Sequence, residues 1–161
     1  MTPRIEKLSK KKLLGVSLPM SVLNNKTGQL WGTFGPRMGE VKNRTSQDRI
    51  SLQVYPSSYF HAFNPKLEFD KWATIEVESF NHIPEGMKAF ELEGGLYAVF
   101  DYKGSCSDNS IFQYIYTEWL PKSNYVLDDR PHFEVLGPNY KNNDPESEEE
   151  IWIPIKGAAN A

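Results

Sequence analysis

The segment Trp72-Ala73-Thr74-Ile75-Glu76-Val77 decides the fold of this chain, because it has a counterpart later in the sequence. Ala73, Ile75 and Val77 alternate with polar or aromatic residues, which is the pattern of a β-strand with one buried face. The segment Trp152-Ile153-Pro154-Ile155 repeats this pattern 80 residues later. A repeated strand indicates that the chain is built from two similar units.

Three further pairs of segments repeat in the same order and at similar offsets. They are Leu14-Gly15-Val16 with Ala98-Val99-Phe100, Leu30-Trp31-x-x-Phe34 with Ile115-Tyr116-x-x-Trp119, and Leu52-Gln53-Val54 with Phe133-Glu134-Val135. The middle pair has helical spacing and the other two have strand spacing. We therefore predict an α+β fold with a duplicated strand–helix–strand–strand unit, forming a pseudo-twofold antiparallel sheet with two main helices on one face. We expect a single domain over 1–161, with repeats at about 3–80 and about 86–156.

The composition limits the classes of protein that fit. Hydrophobic residues make up 39% of the 161 residues, and the formal net charge is −3, which argues against a dedicated nucleic-acid binder. We find no apolar run of the ~18 residues that a membrane span needs. A single cysteine, Cys106, cannot form an internal disulfide, so we expect a cytoplasmic protein. We also expect the protein to be a monomer or a homodimer. The three histidines lack metal-ligand spacing, so we expect no metal and no cofactor.

Several motifs, taken in order, resemble one known family. They are the 72–77 strand, Ile83-Pro84-Glu85-Gly86-Met87, Gly95-Leu96-Tyr97-Ala98-Val99-Phe100-x-x-Lys103-Gly104, Tyr116-x-x-Trp119-Leu120-Pro121, His132-Phe133-Glu134-Val135 and Glu150-Ile151-Trp152-Ile153-Pro154-Ile155. The chain resembles the GyrI-like effector-binding family, which includes the ligand-binding domains of MerR- and AraC-type drug-responsive regulators, gyrase-inhibitor-like proteins and integron-associated binding proteins. Two features depart from that family. The similarity begins at about residue 3, so we expect no N-terminal helix-turn-helix, and Leu136 stands where the family strand usually has tyrosine.

Glu134 is the main candidate for a functional residue. Its counterpart in the first repeat is Gln53, so the pseudo-twofold symmetry predicts one carboxylate and one amide near the cleft between the two helices. A carboxylate among aromatic rings attracts organic cations that are easily desolvated, and each ring adds cation–π attraction of ~0.5–2 kcal/mol. The alternative is a solvent-facing glutamate on an edge strand. The resemblance implies that Glu134 is the buried acidic group that meets cationic drugs.

The other candidate ligand-binding residues are mostly aromatic, and packing in the core is the alternative for each. They are Tyr116 and Trp119 on the second helix, Trp31 and Phe34 on the first, Gln53 and Tyr55 near a strand end, and Trp72 and Trp152 on strands. The acidic residues Glu148 to Glu150 are interpreted as part of a solvated loop.

Three functions follow from the resemblance and from these residues. The first is binding of lipophilic, cationic, amphipathic aromatic small molecules in an aromatic-lined pocket with a buried glutamate, without specific nucleic-acid binding and without a membrane. The second is hydrolysis of electrophilic cyclopropane-containing natural products, with Glu134, Tyr116 and Trp119 as catalytic residues. The third is a protein-interaction role like that of gyrase-inhibitor-like proteins.

Overall fold

A computed structural model describes residues 2–158, and within them nine strands form one antiparallel sheet. The strands are β1 (Arg4–Leu8), β2 (Lys11–Ser21), β3 (Arg49–Val54), β4 (Glu68–Val77), β5 (Lys88–Leu92), β6 (Gly95–Lys103), β7 (Tyr125–Leu127), β8 (His132–Leu136) and β9 (Glu148–Gly157). Their order across the sheet is β1-β6-β9-β8-β3-β4-β2-β5, and β7 pairs with β9.

Two helical regions lie in the β2–β3 and β6–β7 connections. The first is α1 (Thr27–Phe34), which continues as a 3-10 segment (Gly35–Glu40). The second, here called the second helix, consists of α2 (Ser110–Tyr114), a π-helical turn (Ile115–Trp119) and α3 (Leu120–Lys122). Pro121 lies near the start of the last segment, a position where a helix tolerates a proline although it lacks a backbone N–H. Within residues 2–158, no helix has the length and apolar character that a membrane span requires.

The sheet order is symmetric about its centre, where β3 pairs with β8. The series β2, α1, β3, β4 matches the series β6, second helix, β8, β9, and Leu52 lies opposite its own counterpart, Phe133, in the β3–β8 pair. This arrangement confirms the predicted α+β fold with a duplicated unit. The predicted limits of the domain and of its repeats stay predictions, and Met1 and residues 159–161 lie outside the described range.

The ends of the sheet are brought together by an exchange of strands between the repeats. β1 pairs with β6 of the second repeat, and β5 pairs with β2 of the first. Only residues 9–10 connect β1 with β2, although these strands lie near opposite ends of the sheet order. Such a short connection spans only about 10 Å, so the sheet curls until its two ends approach each other. The curled sheet has an inner face and an outer face.

Each face of the curled sheet has its own apolar core. The inner face buries Leu13, Ile50, Leu52, Leu92, Tyr97, Val99 and Phe133. On the outer face, Leu14, Ala73 and Ile75 pack under α1, and Phe100, Ile151 and Ile153 pack under the second helix. The inner face is crowded near Gly15, where a Cβ atom would lie 1.9 Å from the carbonyl oxygen of Ala73. Only glycine therefore allows β2 and β4 to approach as they do.

Candidate functional site

The floor of the candidate site is the outer face of β3 and β8, at the seam between the two repeats. Ser51 and Gln53 alternate there with residues of the inner core, and so do His132 and Glu134. Ser51 lies directly opposite Glu134, and Gln53 lies opposite His132. The seam thus places polar side chains on the face that carries the two helices.

Glu134 is not an isolated carboxylate, because Lys71 of β4 lies beside it. The Nζ atom of Lys71 is 3.9 Å from Oε1 of Glu134, and the two side chains are only 10% and 16% exposed. Gln53 lies between their strands, and in the amide orientation that satisfies both of its groups it accepts from the Lys71 ammonium and donates to the His132 carbonyl oxygen at 3.2 Å. A charge this far from water needs such partners.

Aromatic rings cover the end of the seam next to Gln53. We call Tyr55, Tyr59, Phe60, Phe69 and Tyr116, together with His132, the aromatic cluster. Phe60 stacks on His132 with centroids 5.3 Å apart and lies 5.6 Å from the ring of Tyr116. Tyr55 contacts Tyr59, Phe60, Phe69 and His132 at centroid distances of 4.5 to 5.0 Å.

The polar atoms of the aromatic cluster are held in their neutral forms. Burial lowers the pKa of His132 to about 3, with a smaller contribution from Arg130. Burial, followed by the negative charge of Glu134, raises the pKa of Tyr116 well above its usual range. The Tyr116 hydroxyl lies 3.2 Å from Nδ1 of His132, and it donates to that atom when the imidazole carries its proton on Nε2. The cluster therefore supplies apolar ring surface and neutral donors, and the charge comes from elsewhere.

A second carboxylate, Glu149 of β9, lies on the same outer face. Glu134 pairs with Ile151, and Glu149 is two residues from Ile151, so the two carboxylates are diagonal neighbours on adjacent strands. Burial raises the pKa of Glu149 to about 7; the charge of Glu134 adds to this, and Lys71 opposes it. Glu149 also lines a pocket of about 370 Å³, together with Asp48, Asp101, Tyr102, Lys103, Val135, Gly137, Pro138, Asn139, Glu148 and Glu150.

The far end of the seam, beyond Ser51, is occupied by a stacked cation. The guanidinium of Arg49 lies 6.0 Å from the ring of Trp31 and 5.4 Å from the ring of Tyr140. The partly buried Trp31 of α1 therefore flanks the opposite end of the seam from the aromatic cluster.

The structure brings four of the predicted site residues together: Glu134, Gln53, Tyr55 and Tyr116. Phe34 is fully buried in the core under α1. Trp119 packs edge-on against Phe100 and stacks on Tyr125, so it belongs to the core of the second helix.

Trp72 and Trp152 lie on the inner face of the sheet and do not join the cleft that contains Glu134. Trp72 packs against Phe90, and Trp152 stacks on Phe133 with centroids 5.1 Å apart. Their strand phase places them there, because they alternate with the residues that pack under the helices.

Lys71, Glu149 and His132 are site residues that the sequence interpretation missed. The interpretation of Glu148 to Glu150 as a solvated loop is wrong, because β9 begins at Glu148 and Glu149 is partly buried. The alternation of residues along each strand was the signal that could have identified Lys71 and Glu149. Lys71 is in phase with Ala73 and Ile75, and Glu149 with Ile151, so each charge lies on a face that is otherwise apolar.

Among residues 2–158, no three or more His, Cys, Asp or Glu side chains are grouped in a way that would hold a metal ion.

Comparison with known proteins gives one curated relative and several similar folds. The chain is 31% identical over 130 residues to the transcriptional regulator BrlR of Pseudomonas aeruginosa; the match covers 80% of this chain but only 46% of BrlR. The structure of the protein SAV2435 bound to tetraphenylphosphonium is similar, with a TM-score of 0.66 and 15% identity, over 98% of this chain and 95% of that one. A hydrolase from Listeria innocua has a TM-score of 0.61 and 10% identity, over 96% of this chain and 92% of its own.

At such low identities the two structural similarities concern the fold alone. The sequence pattern of the GyrI-like small molecule binding domain, in contrast, matches residues 1–156, which is nearly the whole chain. The chain therefore belongs to the GyrI-like family of small-molecule binding domains.

Proposed function

We propose that this chain binds lipophilic, aromatic organic cations at the β3–β8 seam, with Glu134 as the counter-ion. The observation that carries the proposal is the position of Glu134, which is 16% exposed and lies on the helix-bearing face beside the aromatic cluster. Its charge is poorly solvated there, and a delocalised cation loses little hydration when it enters. Rings such as Tyr55 and Tyr116 add dispersion and cation–π attraction.

The loop after β3 controls access to Glu134 in this proposal. Tyr59 is buried, whereas Phe60 and Phe63 are 37% and 56% exposed, so the loop is held by few buried side chains. Phe60 occupies the space over His132 and Tyr116 that an aromatic ligand would use. Ligand entry therefore requires Phe60 to move aside, and its ring surface is replaced by that of the ligand.

Two ions of the same shape test the proposal directly. Tetraphenylphosphonium and tetraphenylborate differ in the sign of their charge but have nearly equal size. We expect isothermal titration calorimetry at pH 8 to give a preference for the cation of about tenfold or more, which corresponds to about 1.4 kcal/mol. Equal affinities, or a preference for the borate, would contradict the role of Glu134.

Hydrolysis of cyclopropane-containing electrophiles is a second candidate, favoured by the contact between Tyr116 and His132. In this mechanism Glu134 accepts a proton from water while the water oxygen attacks a ring carbon. The ring C–C bond breaks, and its electron pair moves to the conjugated acceptor group. When the imidazole of His132 carries its proton on Nδ1 and donates it to the Tyr116 oxygen, the Tyr116 hydroxyl, whose raised pKa keeps its proton in place, donates a hydrogen bond to that acceptor. Trp119 is left out of this mechanism because it packs against Phe100.

A turnover assay separates the two candidates, because a pure binder takes up an activated cyclopropane only stoichiometrically. Catalytic turnover that is lost in Glu134→Gln and reduced in Tyr116→Phe would favour the hydrolase.

The cytoplasmic location, the monomeric or dimeric state and the protein-interaction role stay predictions. From the net charge of −3 we also propose that this chain binds no specific DNA sequence. Retention of duplex DNA by the protein at near-physiological salt would contradict this proposal.

A further inference from the structure

One buried and two partly buried charged groups meet at the seam, and their charges do not cancel. Lys71 contributes one positive charge, and Glu134 and Glu149 contribute two carboxylates. Glu134 lies in the middle, because β8 is next to β9 on one side and is separated from β4 only by β3 on the other. With both carboxylates ionised, the set has a net charge of −1, so it has room for one more positive charge.

We propose that Lys71 and Glu149 belong to the ligand site and that the site exchanges a proton on Glu149 for the charge of an incoming lipophilic monocation. This inference rests on the proposed function and extends it. A ligand cation beside Glu134 takes the place of the Lys71 ammonium, which then turns toward Glu149. A proton on Glu149 opposes this shift, so the bound state favours the ionised carboxylate.

The surroundings of Glu149 suit this exchange. Its raised pKa of about 7 places the proton change near neutral pH, with burial as the main cause. The other groups that face it are Tyr102 on β6, whose pKa is raised in part by Glu149, and Tyr140 on the loop after β8. Arg49 of β3 stacks on the same Tyr140 ring. Glu149 also borders the 370 Å³ pocket, which gives the released proton a path to solvent.

The linkage fixes the sign of the effect. Below pH 7 Glu149 is protonated, Lys71 and Glu134 compensate each other, and a cation meets no net charge. Above pH 7 the set is negative and the cation is attracted. Simple proton competition with a pKa of about 7 makes the affinity for a monocation rise about tenfold between pH 6 and pH 8. The same linkage requires binding at pH 7 to release about half a proton.

Calorimetric titration of the full chain with tetraphenylphosphonium measures this release. Titrations at pH 7 in buffers with different protonation enthalpies, such as phosphate and imidazole, give the number of protons released per cation bound. We expect about half a proton at pH 7 and nearly none at pH 9. Glu149→Gln should abolish both the release and the pH dependence. Glu118→Gln is the matched control, because Glu118 is exposed on the second helix, does not line this pocket and should behave as wild type.

The possible outcomes separate this inference from the proposed function. Cation binding without proton release, or with the same release in Glu149→Gln, overturns the exchange and leaves the cation site intact. No cation binding between pH 6 and pH 9 overturns both. If Glu149→Gln does not fold, carbon-13 NMR of the wild-type Glu149 carboxyl decides the question: a pKa that falls when tetraphenylphosphonium is added supports the exchange, and an unchanged pKa overturns it.

Discussion

Replacing Glu134 by glutamine removes one charge from the seam while keeping the side-chain volume. At an effective dielectric constant of about 20, a cation about 5 Å from the carboxylate gains about 3 kcal/mol. Loss of hydration of the carboxylate and of the cation offsets part of this attraction and leaves a net contribution of Glu134 of about 1–2 kcal/mol. The ammonium of Lys71, 3.9 Å from Oε1 of Glu134, repels the cation in both proteins, so its effect cancels from the comparison. We expect Glu134→Gln to weaken tetraphenylphosphonium about five- to thirtyfold and to strengthen tetraphenylborate by a similar factor.

The assay is calorimetric titration at pH 8, where Glu149 is mostly ionised. Glu118→Gln is the matched control, because Glu118 is exposed on the second helix and pairs with Lys122. It should leave both affinities within about twofold of wild type. Equal losses for the two ions in Glu134→Gln would mean that Glu134 supports the fold, and no loss for either would place the ligand elsewhere. Either result would refute the reasoning.

Three further predictions concern Lys71, His132 and Gly15. Lys71→Met removes the internal competitor and should strengthen tetraphenylphosphonium binding about three- to tenfold at pH 8 by calorimetry, whereas unchanged affinity would show that Lys71 does not compete. The pKa of His132 is depressed to about 3, so as the pH falls below about 6.5 the unfolded chain takes up the proton first and the free energy of unfolding decreases. His132→Gln should flatten this decrease between pH 4 and pH 6.5 in urea titrations, and an unaltered slope would contradict the prediction. Gly15→Ala places a Cβ 1.9 Å from the Ala73 carbonyl oxygen and should lower the free energy of unfolding by on the order of 3 kcal/mol. A Gly15→Ala variant that unfolds in urea at the wild-type midpoint would contradict this prediction.

The sequence was sufficient to predict the duplicated fold because each half repeats a strong local pattern. Alternation in 72–77 and 152–155 identifies two strands and also which side chains share a face. The strands β1 and β7 were not predicted from the sequence, because they are short and only partly buried and therefore show little alternation of apolar and polar residues. Their positions depend on pairing with β6 and β9, which lie far away in the chain.

The tryptophans show why the site was harder to predict than the fold. The phase of Trp72 and Trp152 places them on the strand face opposite Ile75 and Ile153. Whether that face meets a ligand depends on the curl of the sheet, which follows from pairings between β1 and β6 and between β2 and β5. The curl turns this face into a core where Trp152 stacks on Phe133. No local pattern in one sequence contains that information.

The charges at the seam occupy positions where the two repeats differ. Glu134 has the neutral counterpart Gln53, and Lys71 has the apolar counterpart Ile151 at the equivalent position of the second repeat. The cation therefore comes from the first repeat, and both carboxylates, Glu134 and Glu149, come from the second. Either repeat alone would bury charge without a partner, which costs several kcal/mol per ion. Pairing β3 with β8 brings the opposite charges together, so the contact that joins the repeats is also the one that creates the candidate site.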